Sequence, residues 1–184
     1  MSQHIKLISS GAPVAALHWA LLEHPELWDQ NTARTENPAS PHYGLSDIWC
    51  RFASPSAGAQ AALEPHESVW WPAADQLPVH DLVEPLVRSV DGVQLGGVLI
   101  TRIPPGGGCA PHADRGWHAQ HYEKFAVQVA SAPGQAFHFE DGHLVTKPGD
   151  VFWFDNAHTH WVTNNSQYER ITLIVCIRPD RKVA

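Results

Sequence analysis

Cysteine is scarce in this 184-residue chain: three residues, Cys50, Cys109 and Cys176, none at metal-ligand spacing. An odd number so placed argues against a disulfide framework. A chain of this length buries roughly 70% of the surface its unfolded form exposes, enough for a core without staples. Long apolar runs are missing too. The longest candidate, Ala12 to Leu22, is broken by His18 and falls short of the roughly 18 residues a membrane span needs. It has neither a basic leader nor a small-residue cleavage site, so it does not read as a secretion signal. Positive charge is in deficit, with 12 Lys and Arg against 19 Asp and Glu and a formal net charge of -7. That balance argues against a nucleic-acid backbone as partner. These absences point to a soluble, cytoplasmic, single globular domain spanning 1–184. What is abundant is histidine (13) and tryptophan (8), and the histidines carry the chemical argument.

The amino-terminal part, 1–91, reads as a helical and loop cover. Val14, Leu17 and Leu21 recur at helical spacing between Pro13 and Glu23, and Leu82, Val83, Leu86, Val87 and Val90 repeat the pattern. Ser46 to Phe52 reads as a short strand, and the Ala-, Ser-, Pro- and Gly-rich stretch Ala53 to Glu67 as a surface excursion. From residue 92 to 179 the character changes. Runs rich in Val, Ile, Phe, Trp and Thr (Gly96 to Ile103, Phe125 to Ser131, Phe137 to Phe139, Val151 to Asp155, His160 to Thr163, Ile171 to Ile177) alternate with Gly, Pro and Asn breakers. Many short strands so punctuated predict an antiparallel sandwich or barrel. The expected fold is mainly β, a jelly roll with helices packed from the amino-terminal part.

Three features of the second half belong together. In His112-Ala113-Asp114, residues two apart on an extended segment point the same way, so an imidazole and a carboxylate converge. His160 opens an apolar strand further on. Two histidines and one carboxylate occupy one face of an octahedral metal and leave three positions open, an arrangement suited to non-haem Fe(II) and oxygen. Arg170 follows a turn at Asn164-Asn165-Ser166, and a hairpin there would bring it alongside His160. An arginine in an otherwise apolar strand near a metal site needs an anion, and a carboxylate is its natural bidentate partner. Asp155, Asn156 and His158 are candidates to support His160 from behind. His118 and His121, with Trp117 and Tyr122, follow Asp114 and read as polar loop residues in preference to a lid or substrate contact. The residues alone leave open a zinc hydrolase using His112, His158 and His160, and a non-catalytic jelly-roll binding module.

The stretch Leu99 to Pro179, with Arg102-Ile103-Pro104-Pro105-Gly106-Gly107-Gly108, Pro111-His112-Ala113-Asp114, Trp153-Phe154-Asp155-Asn156, His158-Thr159-His160 and Arg170-Ile171-Thr172-Leu173-Ile174-Val175, resembles the aspartyl/asparaginyl beta-hydroxylase-like family of 2-oxoglutarate oxygenases. Ser40-Pro41-His42 and Asp47-Ile48-Trp49-Cys50-Arg51 resemble its phage and bacterial branch. The resemblance implies a double-stranded beta-helix binding Fe(II) and 2-oxoglutarate. By position it makes His112 and His160 metal ligands with Asp114 the third, Arg170 the receiver of the distal carboxylate of 2-oxoglutarate, and Thr101 a hydroxyl assisting it. The second basic residue that some members use has no counterpart; Gln128 and Lys124 are the substitutes at hand. The implied activity is hydroxylation of an unactivated C–H of an amino-acid, peptide or small-molecule substrate with dioxygen.

Overall fold

The computed structural model describes residues 2–57, 63–181 and 183; residues 58–62 of the Ala53 to Glu67 excursion lie outside the described residues. Eleven strands are described: β1 (Ile5–Ser9), β2 (Ser46–Phe52), β3 (Val69–Trp70), β4 (Gly92–Ile103), β5 (Gly108–His112), β6 (Glu123–Ala130), β7 (Gln135–Phe139), β8 (Gly142–Leu144), β9 (Val151–Phe154), β10 (His160–Asn164) and β11 (Arg170–Pro179). Among the described residues three α-helices accompany them, α1 (Ala15–Glu23), α2 (His80–Ser89) and α3 (Trp117–His121). None of the described helices is long and apolar enough to cross a membrane.

The strands form two antiparallel sheets. The larger runs β1-β9-β6-β11-β4-β2-β3 and the smaller β5-β10-β7-β8. This is the expected mainly β jelly roll, with α1 and α2 against the outer face of the larger sheet. Period-two alternation explains the layering. On β11, Ile171, Leu173, Val175 and Ile177 pack under the helices, against Leu17 and Leu21 of α1 and Leu82, Val83 and Leu86 of α2. The intervening Arg170, Thr172, Ile174 and Cys176 line a cavity between the sheets. On β6, Phe125, Val127 and Val129 go to the helical side; Lys124 and Gln128 alternate with them. A second cluster, including Phe137, Phe139, Phe152 and Phe154, closes the space between the sheets beside the cavity.

The amino-terminal part is not only cover. β1 pairs with β9, and β2 joins β4 at the other side of the larger sheet. β1 escaped the sequence pattern because five residues reading Ile-Lys-Leu-Ile-Ser are too short to declare a partner so distant in the chain. The predicted hairpin between His160 and Arg170 does not form either. β10 pairs with β5 and β7, whereas β11 pairs with β4 and β6. The segment between them crosses from one sheet to the other. Buried Asn164 pins that crossing, its side-chain amide donating to the carbonyls of Ile103, Pro104 and Tyr168 at 2.8–3.1 Å.

Candidate metal centre

β5 and β10 are neighbours in the smaller sheet, in a register that sets His112 directly opposite His160. Their close approach depends on Gly108, where a Cβ would lie 2.6 Å from the Val162 carbonyl oxygen. The two imidazoles are 4.4 Å apart between ring centroids. Asp114 lies just beyond β5, its N–H donating 2.8 Å to the Asn156 carbonyl and its Oδ1 3.7 Å from His112 Nε2. One ligand atom from each of His112, Asp114 and His160 can be chosen so that all three lie within 4.8 Å of one another.

Both rings are oriented from behind. His112 Nδ1 is 2.8 Å from the Ala110 carbonyl and His160 Nδ1 is 2.8 Å from the His158 carbonyl. A carbonyl only accepts, so each Nδ1 carries the proton and each Nε2 keeps its lone pair for a metal. Burial holds both imidazoles neutral: it lowers His112 and takes His160 down to about 4. Burial pushes the Asp114 carboxyl up, but the Lys124 ammonium, 2.5 Å from Oδ2, and the two imidazoles outweigh it and hold the acid below its ordinary value.

Arg170 reaches the same cavity from the opposite sheet. It is only 1% exposed. Nη1 donates to Thr146 Oγ1 at 3.1 Å, and Thr146 in turn donates to Gln128 Oε1 at 2.8 Å. Nη2 is buried with no partner among the described residues. Burial without a counter-charge takes the guanidinium down to about 10. A buried charge with an orphaned N–H is costly unless an anion completes it. The donor set therefore fits both groups: a three-ligand face for a divalent metal, and a guanidinium still owed a carboxylate.

The other residues singled out in the sequence fall as follows. The Thr101 hydroxyl is engaged locally, donating to Asp47 Oδ1 at 2.9 Å and accepting from Arg34 Nη2 at 2.8 Å. Gln128 is fully buried and supports Thr146, while Lys124 pairs with Asp114. Asn156 and His158 support the site through their carbonyls. The side chain of His158 turns elsewhere, to Asp155 at 2.7 Å in a separate cluster with His4. The zinc grouping of His112, His158 and His160 is thus not assembled. His118 is not a loose loop residue, since α3 packs it between Phe52 and Tyr122. One residue of the site went unnoticed in the sequence, and another entered only through the resemblance. Thr146, in an irregular stretch, carries no signal. His42 is edge-on to His112 at 4.9 Å and taken down to about 2, chiefly by burial and then by Arg34 and His112. It pairs in space with a group far along the chain. His42, Cys109 and His112 also cluster, but burial pushes the Cys109 thiol up to about 12 and keeps it protonated.

The family model for aspartyl/asparaginyl beta-hydroxylase matches residues 61–179. No curated protein sequence matches the chain. Among solved structures, the viral collagen prolyl hydroxylase vCPH from Paramecium Bursaria Chlorella virus-1, in complex with 2OG, aligns over 98% of each chain at 12% identity with a TM-score of 0.56. A Pseudomonas putida prolyl-4-hydroxylase aligns over 96% of this chain and 92% of its own at 18% identity, TM-score 0.52. An oxidoreductase of the 2OG-Fe(II) oxygenase family from Burkholderia pseudomallei aligns over 73% of this chain and 66% of its own at 14% identity, TM-score 0.53. At these identities the likeness is one of fold.

Proposed function

The chain belongs to the aspartyl/asparaginyl beta-hydroxylase family, and from that premise we propose that it is an Fe(II)- and 2-oxoglutarate-dependent dioxygenase that hydroxylates a C–H of a small-molecule or peptidyl substrate. His112, Asp114 and His160 hold the iron, and Arg170 receives the distal carboxylate of 2-oxoglutarate. One observation carries this reading: Arg170 is buried in the same cavity as the His-Asp-His face, with an unpaired N–H and no acid of its own. A zinc hydrolase or an inert module leaves that charge unexplained.

When bound, iron and 2-oxoglutarate would activate dioxygen, the oxidant: 2-oxoglutarate is oxidised to succinate and carbon dioxide with one oxygen atom, and the other enters the substrate C–H. The protein supplies geometry and exclusion of water. The Ala110 and His158 carbonyls fix the imidazole tautomers, and Lys124 keeps Asp114 ionised and oriented. Thr146, steadied by Gln128, fixes one edge of the Arg170 guanidinium so that the other faces the cavity. Phe137, Phe154, Ile103 and Ile174 make the surrounding wall apolar. That wall strengthens the guanidinium–carboxylate contact.

Anaerobic addition of Fe(II) and 2-oxoglutarate tests this. The chelated complex should give a charge-transfer absorption band, and His160→Ala should abolish it. Absence of the band in the intact protein would refute the assignment.

A further inference from the structure

Resting on the oxygenase reading, the cavity still holds positive charge that neither metal nor cosubstrate uses. Arg34 is paired with Asp47 and Lys124 with Asp114, Arg170 is assigned to 2-oxoglutarate, and Arg115, also on the lining, is solvent-exposed. Arg51 lines the same cavity. It is half-buried on β2, its guanidinium over the Trp70 ring at 5.2 Å. Among the described residues its one hydrogen bond is long, from Nη2 to the Leu95 carbonyl at 3.4 Å, and no carboxylate lies within 4.0 Å of it, Glu67 acting on it only from farther away. Its Nε is buried without a partner among the described residues. Two further polar atoms lining this cavity share that condition, the indole Nε1 of Trp49 and the imidazole Nε2 of His118.

These groups are brought together by the fold. Trp49 and Arg51 are two apart on β2 and project to the side of Asp47, away from Ile48 and Cys50 in the helical core. His118 comes from α3 and packs on the Phe52 ring, which in turn meets Trp49 edge-on, above Gly97, where a Cβ would stand 3.3 Å from the Phe52 ring and 3.5 Å from His118 Cε1. His118 lines the same cavity as His112, Asp114 and His160, so this end is continuous with the metal centre. The cavity measures about 310 Å³, room for the cosubstrate and one small molecule.

We propose that Arg51, Trp49 and His118 form the substrate subsite for a free carboxylate, and that the substrate is a small carboxylic acid, amino acids included, rather than a folded protein. The Arg51 guanidinium, with no carboxylate within 4.0 Å among the described residues and with the Trp49 N–H on the same cavity wall, suits a planar monoanion. Arg51 offers the bidentate edge, and the aromatic wall of Trp49 and Phe52 takes the carbon skeleton. Arg51 and His118 are then specificity-determining residues of the site.

The test is ligand-observed saturation-transfer NMR on the full chain without metal or oxygen, with 2-oxoglutarate present throughout to engage Arg170. The probes are the twenty free L-amino acids, their primary amides and inorganic phosphate. At least one free acid should bind about tenfold or more tightly than its amide, the worth of a hydrogen-bonded charge. Arg51→Met should erase that preference and Arg51→Lys restore part of it. Should Arg51→Met fail to fold, Trp49→Phe, which removes only the N–H, should weaken the acid several-fold and leave the amide unchanged. Equal binding of acids and amides, a preference that survives Arg51→Met, selective binding of phosphate, or no acid bound at all would each overturn the proposal. The iron–2-oxoglutarate band reports separately. A missing band with acid preference intact strikes the oxygenase reading alone; a band with no acid preference strikes this subsite alone.

Discussion

Arg170→Met should stabilise the metal-free protein while removing its response to 2-oxoglutarate. Burial takes the guanidinium from its ordinary 12.5 to about 10. At about 1.36 kcal/mol for each tenfold change in acidity, the charged form loses about 3 kcal/mol on folding. The folded value lies below the unfolded one, so the unfolded chain binds more protons between them. The cost is therefore complete at neutral pH and is relieved only as pH rises past about 10. Methionine removes that cost but forfeits the Thr146 hydrogen bond, worth about 1 kcal/mol, for a net gain of about 2 kcal/mol, in the range seen when buried charges become apolar. Urea denaturation at neutral pH measures it. Wild type should gain about 2.7 kcal/mol at a 2-oxoglutarate concentration a hundred times its Kd, and the variant nothing at that concentration. A variant less stable than wild type by more than about 1 kcal/mol, or one still protected by 2-oxoglutarate, would make Arg170 a structural residue and remove the main support for the cosubstrate site.

Three other perturbations have worked signs. Asp47 is fully buried and binds Arg34 and Thr101; Asp47→Ala should cost about 3 kcal/mol in chemical denaturation by leaving the guanidinium unpaired. His112→Ala should lose the iron–2-oxoglutarate band, whereas Cys109→Ala, which removes a protonated thiol, should keep it. His42, His118 and His160 are taken down to about 2, 4 and 4, burial being the first cause in each. Between those values and 6.5 the unfolded chain holds more protons, so stability of the metal-free protein should be full above about pH 6.5 and fall on acidification. His42→Gln should flatten that fall by at most about 1.4 kcal/mol per pH unit, the contribution of one proton, as read by denaturation at stepped pH.

Much of the architecture was legible because it is local. Alternation within Arg170–Pro179 and Glu123–Ala130, the helical spacing around Leu17 and Leu82, and the Gly and Pro breakers each depend on a few consecutive residues, and they recovered most strands of the jelly roll and two helices. His-X-Asp was legible for the same reason: two residues apart on an extended chain must face one way. Strand partnership is not local. The turn at Asn164 looked like a hairpin, and only the packing of β10 beside β5 and of β11 beside β4 showed that His160 and Arg170 meet across two sheets. Ile5–Ser9 was too short to announce its place beside β9.

Residue types, order and spacing thus determined a mainly β chain carrying the two imidazoles, the carboxylate and the arginine of the proposed metal and cosubstrate site. What the tertiary structure decided was who is left unpaired. Lys124 answers Asp114, Asp47 answers Arg34 and Thr101, and Arg170 and Arg51 keep buried N–H groups with no acceptor among the described residues. Whether a charge is satisfied depends on every element packed around it, and that sum is made only when the sheets close.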